Sequence, residues 1–274
     1  VIRVERNPHY WEAEAVRMDG FAFYPIEDEN TEMRAFESGQ LHVTNSVPVN
    51  MRAHYRERFP EKIRFDPFAG VYFYRINTTR PPLDDARVRR ALSLAIDRRQ
   101  IIEQLLRGGE RVATAMAPAG IGGYQPPVVT DHSPAEARRL LAEAGYPDGE
   151  GFPTVELLFN TSDNHRKIAE AIQNMWRREL GIDITLTNKE WKVYLDTVKN
   201  LRYDIARAGW IGNLYPFSFL RTLLSYSPNN DTGYADPEYD RLLEASVNTL
   251  DREERYRLEE VVITFFPQAA PPYT

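Results

Sequence analysis

The sequence predicts an α/β protein built around a parallel β-sheet, and the pattern of its central segment carries this prediction. Between residues 154 and 210, β-branched and aromatic runs alternate with amphipathic helical segments in the order β-α-β-α-β. Strands that are joined by helices in this way pair in parallel through right-handed crossovers. Residues 71–76 form an aromatic run that favours a further strand. Pro81-Pro82 then interrupts the chain, because neither a helix nor a central strand tolerates proline easily.

The central segment divides into three strands and two helices. Residues 154–159, 182–187 and 203–208 have strand composition, and residues 190–200 form the shorter helix between the last two. The longer helix is predicted from Asp163 to Leu180 because its apolar residues recur at helical spacing and Gly181 ends it. Its predicted buried stripe consists of Ile168, Ile172, Met175 and Trp176.

Other elements follow from local start and stop signals. Asn30 or Thr31 is expected to cap a helix that ends at Gly39, and residues 41–44 have strand composition. Further helices are expected after Asp84, Asp97 and Ser133, after Asp236-Pro237, and over 251–266.

The composition excludes several classes of function. The net charge of −6 argues against a nucleic-acid partner, which rewards a basic face. The chain contains no cysteine, which excludes disulfides, thiol nucleophiles and zinc–thiolate sites. Its five histidines follow no metal-binding spacing, so no metal and no cofactor are expected. No apolar run approaches the ~20 residues that span a bilayer.

Ligands of open parallel sheets bind beyond the carboxyl ends of the strands. Three stretches lie at such ends, at residues 160–165, 188–191 and 207–213. Together they contribute two indoles, an imidazole, a guanidinium and several amides. Aromatic rings offer stacking area and arginine binds carboxylates in a bidentate manner, so this set suits ligand binding.

The candidate residues also allow structural interpretations. Trp191 and Trp210 could equally be core aromatics, and His165 could satisfy only backbone donors in the first turn of its helix. Arg207 favours a functional interpretation, since a charge within a strand buried on both faces needs a partner. Ser162, Asp163 and His165 are adjacent in sequence, whereas a catalytic triad converges from separate elements, so a peptidase is a poor alternative.

Several stretches, in colinear order, resemble the periplasmic oligopeptide-binding proteins of ABC importers (solute-binding proteins, family 5 type). Residues 5–11 are similar to an Arg-Asn-Pro-x-Tyr-Trp segment, and residues 35–43 match a second element except that His42 replaces its Asp. Residues 77–98, which contain Pro-Pro-Leu-Asp-Asp-x-Arg-Val-Arg-Arg-Ala-Leu, are the most specific match. The match continues at 137–146, 160–165, 190–192, 204–210 and 229–234.

The resemblance implies a two-lobed, type II periplasmic-binding-protein-like fold. Residues 1–77 would be a partial first lobe that ends in an interlobe crossing strand. Residues 78–268 would form a nearly complete second lobe, and 269–274 would begin the return strand. The amino-terminal portion of the first lobe and the carboxyl-terminal end are expected to be missing from this chain.

The resemblance also assigns roles to residues. Arg207 and His165 match basic positions that meet the ligand's carboxyl end, and Trp191 matches an aromatic that lines a side-chain pocket. Gly209, Trp210 and Ile211 match backbone along the cleft. The position of the family's amine-binding Asp reads Asn213 here, so we expect a weaker preference for a free α-amine. Asn45 and Ser46 fall near a contact loop of the first lobe.

The resemblance implies a monomeric, extracytoplasmic binding component that closes on a short peptide by a hinge and presents it to an ABC permease at the membrane. It implies neither a cofactor nor an enzymatic activity. An alternative keeps the fold but changes the ligand to an oligosaccharide, a murein fragment or a metal chelate.

Overall fold

The computed structural model describes residues 1–66, 68–128 and 131–269. The chain forms two compact units, residues 1–48 and residues from 49 onward. Within the described residues, no helix has the length and apolar character needed to cross a membrane.

The first unit contains two short antiparallel strands and one helix. Strand β1 (Ile2–Glu5) pairs with β2 (Gly20–Phe23), and helix α1 spans Glu29–Glu37. Asp28 caps α1 by accepting a hydrogen bond from the Thr31 backbone N–H at 2.7 Å, so the prediction of Asn30 or Thr31 as the cap was wrong. The predicted strand at 41–44 is also absent, and these residues form no ladder with a neighbouring strand.

The second unit is organised around a four-stranded sheet with the order β3-β6-β4-β5. Its strands are β3 (Gly70–Ile76), β4 (Val155–Asn160), β5 (Ile184–Lys189) and β6 (Ile205–Ile211). Strand β4 pairs in parallel with both β5 and β6, which confirms the predicted parallel core. Strand β3 adds to β6 in the antiparallel direction and makes the sheet mixed.

Nine helices accompany the sheet over the described part of this unit. They are α2 (Val49–Arg58), α3 (Ala86–Leu94), α4 (Arg98–Gln100), α5 (Pro134–Glu143), α6 (Asp163–Leu180), α7 (Trp191–Lys199), α8 (Phe217–Leu220), α9 (Pro237–Val247) and α10 (Arg252–Ala269). A π-helical turn, Ile101–Leu106, continues α4. The predicted bounds of α6 are confirmed, and all four residues of its predicted stripe are buried.

Two apolar clusters cover the central strands. Helices α3, α5 and α6 contribute Leu92, Leu141 and Trp176 to the larger cluster, which includes Leu157 of β4. Alternate strand residues point to the opposite face, so Leu158 packs instead with Tyr194 of α7. Because both faces are covered, access to this part of the sheet is left at the ends of its strands.

A third apolar cluster joins β3 to the carboxyl-terminal helices. It includes Phe73 of β3, Phe219 of α8, Tyr239 of α9 and Val262 of α10. The lobe boundary after residue 77 and the crossing role of the strand before it stay predictions. The predicted return strand at 269–274 lies outside the described residues, apart from Ala269 at the end of α10.

Candidate ligand-binding site

The carboxyl end of β6 brings the main candidate residues together. In the β3–β6 ladder, Arg207 lies opposite Tyr74, and Gly209 lies opposite Tyr72. Opposite residues of an antiparallel pair share a face, as do residues two apart. All four positions therefore lie on the same side of the sheet. Arg207 and Gly209 were predicted from the sequence to belong to the site, whereas the two tyrosines were not.

Arg207 is a half-buried cation without an acidic partner among the described residues. Its Nη1 donates a hydrogen bond to Oδ1 of Asn160 at 3.3 Å, and its guanidinium carbon lies 4.9 Å from the centroid of the Tyr72 ring. Its Nε is buried and makes no hydrogen bond with any described residue. The guanidinium therefore retains donor capacity for a ligand.

His165 belongs to the same group of side chains. The Tyr72 hydroxyl lies 3.3 Å from its Nδ1, and the two ring centroids are 5.6 Å apart. Burial, and then the positive charge of Arg207, lower the pKa of His165 to about 3. The imidazole is therefore neutral at ordinary pH in the ligand-free protein, and its contact with the carboxyl end of a ligand stays a prediction.

The first turn of α6 holds His165 in place. The side chain of Ser162 caps the helix by accepting a hydrogen bond from the His165 backbone N–H. Ser162 thus caps the first turn of α6, and the role of His165 in ligand contact stays a prediction. The next residue upstream of His165, Asn164, has a buried Oδ1 that no described group satisfies. The positive end of an 18-residue helix thus lies beside Arg207, which favours an anion there.

The two tryptophans occupy different environments. Trp191 opens α7, is 47% exposed, and stacks on Tyr194 with centroids 5.7 Å apart and planes 11° apart. Trp210 packs against the third cluster and donates its indole N–H to the Ser218 carbonyl at 2.7 Å. Trp191 thus offers a free ring face or edge, whereas most of the indole of Trp210 is used within the protein.

The remaining candidates lie at the end of β6 or in the first unit. Ile211 is exposed, and Asn213 lies in the turn that follows, where its Oδ1 accepts a hydrogen bond from the Tyr215 backbone N–H at 3.1 Å. Asn45 and Ser46 belong to the first unit, in which the Asn45 backbone N–H donates to Glu32 Oε1 at 2.9 Å. The roles of these residues in ligand contact stay predictions.

Alternation within β3 was the signal that could have revealed the missing tyrosines. Tyr72 and Tyr74 are two residues apart and therefore share a face in any strand. Burial raises the pKa of Tyr74 well above its usual value, so its hydroxyl stays protonated. The sequence could not show that β3 would pair with β6.

Over the described ranges no three His, Cys, Asp or Glu side chains gather into a metal-binding group.

Comparison with known proteins assigns the family. The sequence profile of the bacterial extracellular solute-binding proteins, family 5 middle region, matches residues 1–231. The chain belongs to this family. Among curated family 5 proteins, the periplasmic oligopeptide-binding protein OppA of Salmonella typhimurium is 36% identical over 265 residues, which cover 94% of this chain and 49% of OppA. The chain therefore spans about half the length of this relative.

Solved family 5 structures superpose on nearly the whole chain. The murein tripeptide binding protein MppA of Escherichia coli has a TM-score of 0.93 and 33% identity, covering 99% of this chain and 55% of MppA. Haemophilus influenzae OppA in complex with the peptide RPPGFSPFR has a TM-score of 0.89 and 30% identity, covering 99% of this chain and 55% of that protein. These neighbours confirm the predicted fold class.

Proposed function

We propose that this chain carries the ligand-contacting region of an extracytoplasmic solute-binding component that captures short peptides for an ABC importer. The observation that carries the proposal is the half-buried guanidinium of Arg207 in β6, which has no acidic partner among the described residues. A peptide's terminal carboxylate would supply the missing anion and could accept hydrogen bonds from Nη1 and from the unsatisfied Nε.

The surrounding groups suit a peptide for separate reasons. The amino terminus of α6 adds positive potential where the carboxylate would lie. The exposed ring of Trp191 offers an apolar surface for a side chain, and Gly209 leaves room for the ligand's backbone. The relatives' names point the same way, since they describe binding of oligopeptides and of a murein tripeptide.

The rest of the proposal concerns the whole protein. Hinge closure would bury the peptide, and the closed form would deliver it to the permease. The protein would act as a monomer, would bind no nucleic acid and would release its peptide chemically unchanged. None of these steps requires a cofactor.

Native mass spectrometry of the chain with a pool of two- to six-residue peptides tests the proposal. We expect a peptide adduct that is released with its mass unchanged. Arg207→Ala should weaken binding by roughly 30-fold or more, because a charged hydrogen-bond donor is lost from a desolvated site. Arg166→Ala is the matched control, since Arg166 is exposed at the start of α6 and pairs with Asp163 and Glu170.

Three outcomes would contradict the proposal. Equal losses in the two variants would show that only net charge matters. A peptide released as fragments would indicate hydrolysis. Adducts with a pool of sugars but not with peptides would favour the alternative ligand class.

A further inference from the structure

Tyr194 of α7 links two residues of the proposed binding site. Its hydroxyl donates a hydrogen bond to the backbone carbonyl of Arg207, and its ring stacks on Trp191. The side chain is 4% exposed, so it contacts a ligand little or not at all. We propose that Tyr194 is a positioning residue that fixes the carboxyl end of β6 and the plane of Trp191 for ligand binding.

The hydrogen bond to Arg207 lies where the sheet opens. The parallel ladder between β4 and β6 consists of two residue pairs, Leu157 with Ile205 and Leu158 with Ala206. From Arg207 onward, β6 pairs only with β3 among the described strands. The Tyr194 hydroxyl therefore bonds to the first residue of β6 beyond its ladder with β4, where side-chain bonds take over from backbone pairing on the β4 side of the strand.

A second bridge spans the same opening. The Asn160 side chain at the end of β4 accepts the hydrogen bond from Arg207 Nη1. Asn160 thus holds the guanidinium, whereas Tyr194 holds the backbone from which that guanidinium extends. Loss of the Tyr194 hydroxyl would leave the Arg207 backbone held only by its pairing with β3, while its side-chain contacts remain.

Burial keeps the hydroxyl in its donating form. Desolvation raises the pKa of Tyr194, although Arg75 and Arg207 oppose part of that effect. The phenol is therefore protonated throughout the pH range in which the protein would bind ligands. The stacked ring restricts Trp191 independently of the hydroxyl, so the two contacts can be removed separately.

Two substitutions separate these contacts. Tyr194→Phe removes only the hydroxyl, and Tyr194→Leu removes the hydroxyl and the stacking ring. Tyr203→Phe is the matched control, because Tyr203 lies in the same apolar cluster and its hydroxyl donates to another backbone carbonyl, that of Asp231.

Two measurements need no ligand. Hydrogen exchange by mass spectrometry should show the amides of residues 207–211 exchanging about fivefold faster in Tyr194→Phe, as expected for the loss of one hydrogen bond. The protein has four tryptophans. In ¹⁹F NMR spectra of the 5-fluorotryptophan-labelled protein, the Trp191 signal is the one that disappears in the Trp191→Phe variant. The Trp191 signal should move in Tyr194→Leu and stay near its wild-type position in Tyr194→Phe.

The affinity measurement rests on the proposed function. With a tripeptide that the wild type binds, Tyr194→Phe should weaken binding by about fivefold, and Tyr203→Phe should leave it unchanged within about twofold. If the wild type binds no peptide, the proposed function fails, and the exchange and ¹⁹F measurements decide the structural role of Tyr194 alone.

If the amides of residues 207–211 exchange in Tyr194→Phe at the wild-type rate, Tyr194 does not fix the carboxyl end of β6. Equal acceleration in Tyr203→Phe would lead to the same conclusion, because the effect would then reflect general stability. Faster exchange with unchanged peptide affinity would refute the positioning role in binding.

Discussion

The hydroxyl of Tyr72 lies 3.3 Å from Nδ1 of His165, and this contact joins strand β3 to the first turn of α6. The imidazole is held beside the Arg207 guanidinium, which also lies over the Tyr72 ring. Two groups that are both basic in isolation thus share one site, and only the guanidinium keeps its charge, because the pKa of His165 falls to about 3.

The lowered pKa predicts how acid affects stability. Unfolded His165 would titrate near 6.5, so the unfolded state binds more protons than the folded state as pH falls from about 7 toward 3. The stability that His165 contributes is therefore complete above about pH 7 and is lost on acidification. We expect His165→Gln to flatten this part of the stability curve, measured by urea unfolding between pH 4 and 8.

The exposed histidine His42 supplies the control for that experiment. His42→Gln should retain the wild-type dependence on pH. In NMR spectra of the ligand-free wild type, the His165 ring signals should not titrate between pH 5 and 8. A His165 midpoint near 6.5 would contradict the prediction.

Gly209 tests whether space above the sheet is used by a ligand. Its φ is not positive, and a Cβ at this position would lie 3.6 Å from Arg207 Nη2 and 3.6 Å from the Val71 carbonyl, which is ordinary contact. Gly209→Ala should therefore keep or slightly raise stability, because alanine loses less backbone entropy on folding. Peptide affinity should fall about tenfold through steric exclusion, since one methyl group can cost roughly 1–3 kcal/mol in a close-fitting site.

Gly212 provides the contrast to Gly209. A Cβ on Gly212 would lie 2.4 Å from Ser218 Oγ and 2.5 Å from the Phe219 ring, so Gly212→Ala should lower the melting temperature. Calorimetry and isothermal titration on both variants separate a loss of space from a loss of folding. Unchanged peptide affinity in Gly209→Ala would show that no ligand backbone lies over this residue.

Asn213 predicts tolerance of a blocked peptide amine. Its amide oxygen accepts from the Tyr215 N–H at 3.1 Å, so an isosteric aspartate can keep the turn while adding a negative charge. Free and N-acetylated forms of one peptide should differ by less than about tenfold in the wild type, and Asn213→Asp should widen that ratio by about tenfold. Asn213→Ala, also uncharged, should keep the wild-type ratio. A wild-type difference of several orders of magnitude would contradict the prediction.

The sequence predicted the parallel core because its signals are local. The stripe of α6 recurs at helical spacing, and Gly181 ends the helix with a positive φ of 69° that glycine readily adopts. The start of α1 was misplaced because Asp28, Asn30 and Thr31 are all good capping residues, and only the folded geometry selects Asp28.

Site residues whose position depends on long-range strand pairing could not be predicted from the sequence. Arg207 was proposed because a charge inside a predicted strand is unusual, and His165 was proposed because its stretch follows a predicted strand. Tyr72 and Tyr74 were missed because their place depends on β3 pairing antiparallel to a strand more than a hundred residues away. The predicted strand at 41–44 failed for a related reason, since β composition alone forms no strand without a partner.

Glu259 of α10 is a buried carboxyl outside the proposed site. It is 1% exposed, and neither of its oxygens has a hydrogen-bond partner among the described side chains. Burial raises its pKa to about 7, while the positive charge of Arg255 and a hydrogen bond from the Phe217 backbone N–H oppose part of that effect. Burial, and then the negative charge of Glu259, raise the pKa of the neighbouring Tyr124.

The raised pKa of Glu259 predicts a loss of stability on the alkaline side. The unfolded carboxyl titrates near 4.5, so the folded state holds its proton to higher pH than the unfolded state. The stability contributed by the protonated form is complete below about pH 4.5 and is lost as pH rises through about 7. Glu259→Gln should match the wild type near pH 5 and exceed it by roughly 1–3 kcal/mol at pH 8, measured by urea unfolding. Glu260→Gln alters the exposed neighbour and should follow the wild-type curve, so coincident curves for all three proteins would refute an ionised, buried Glu259.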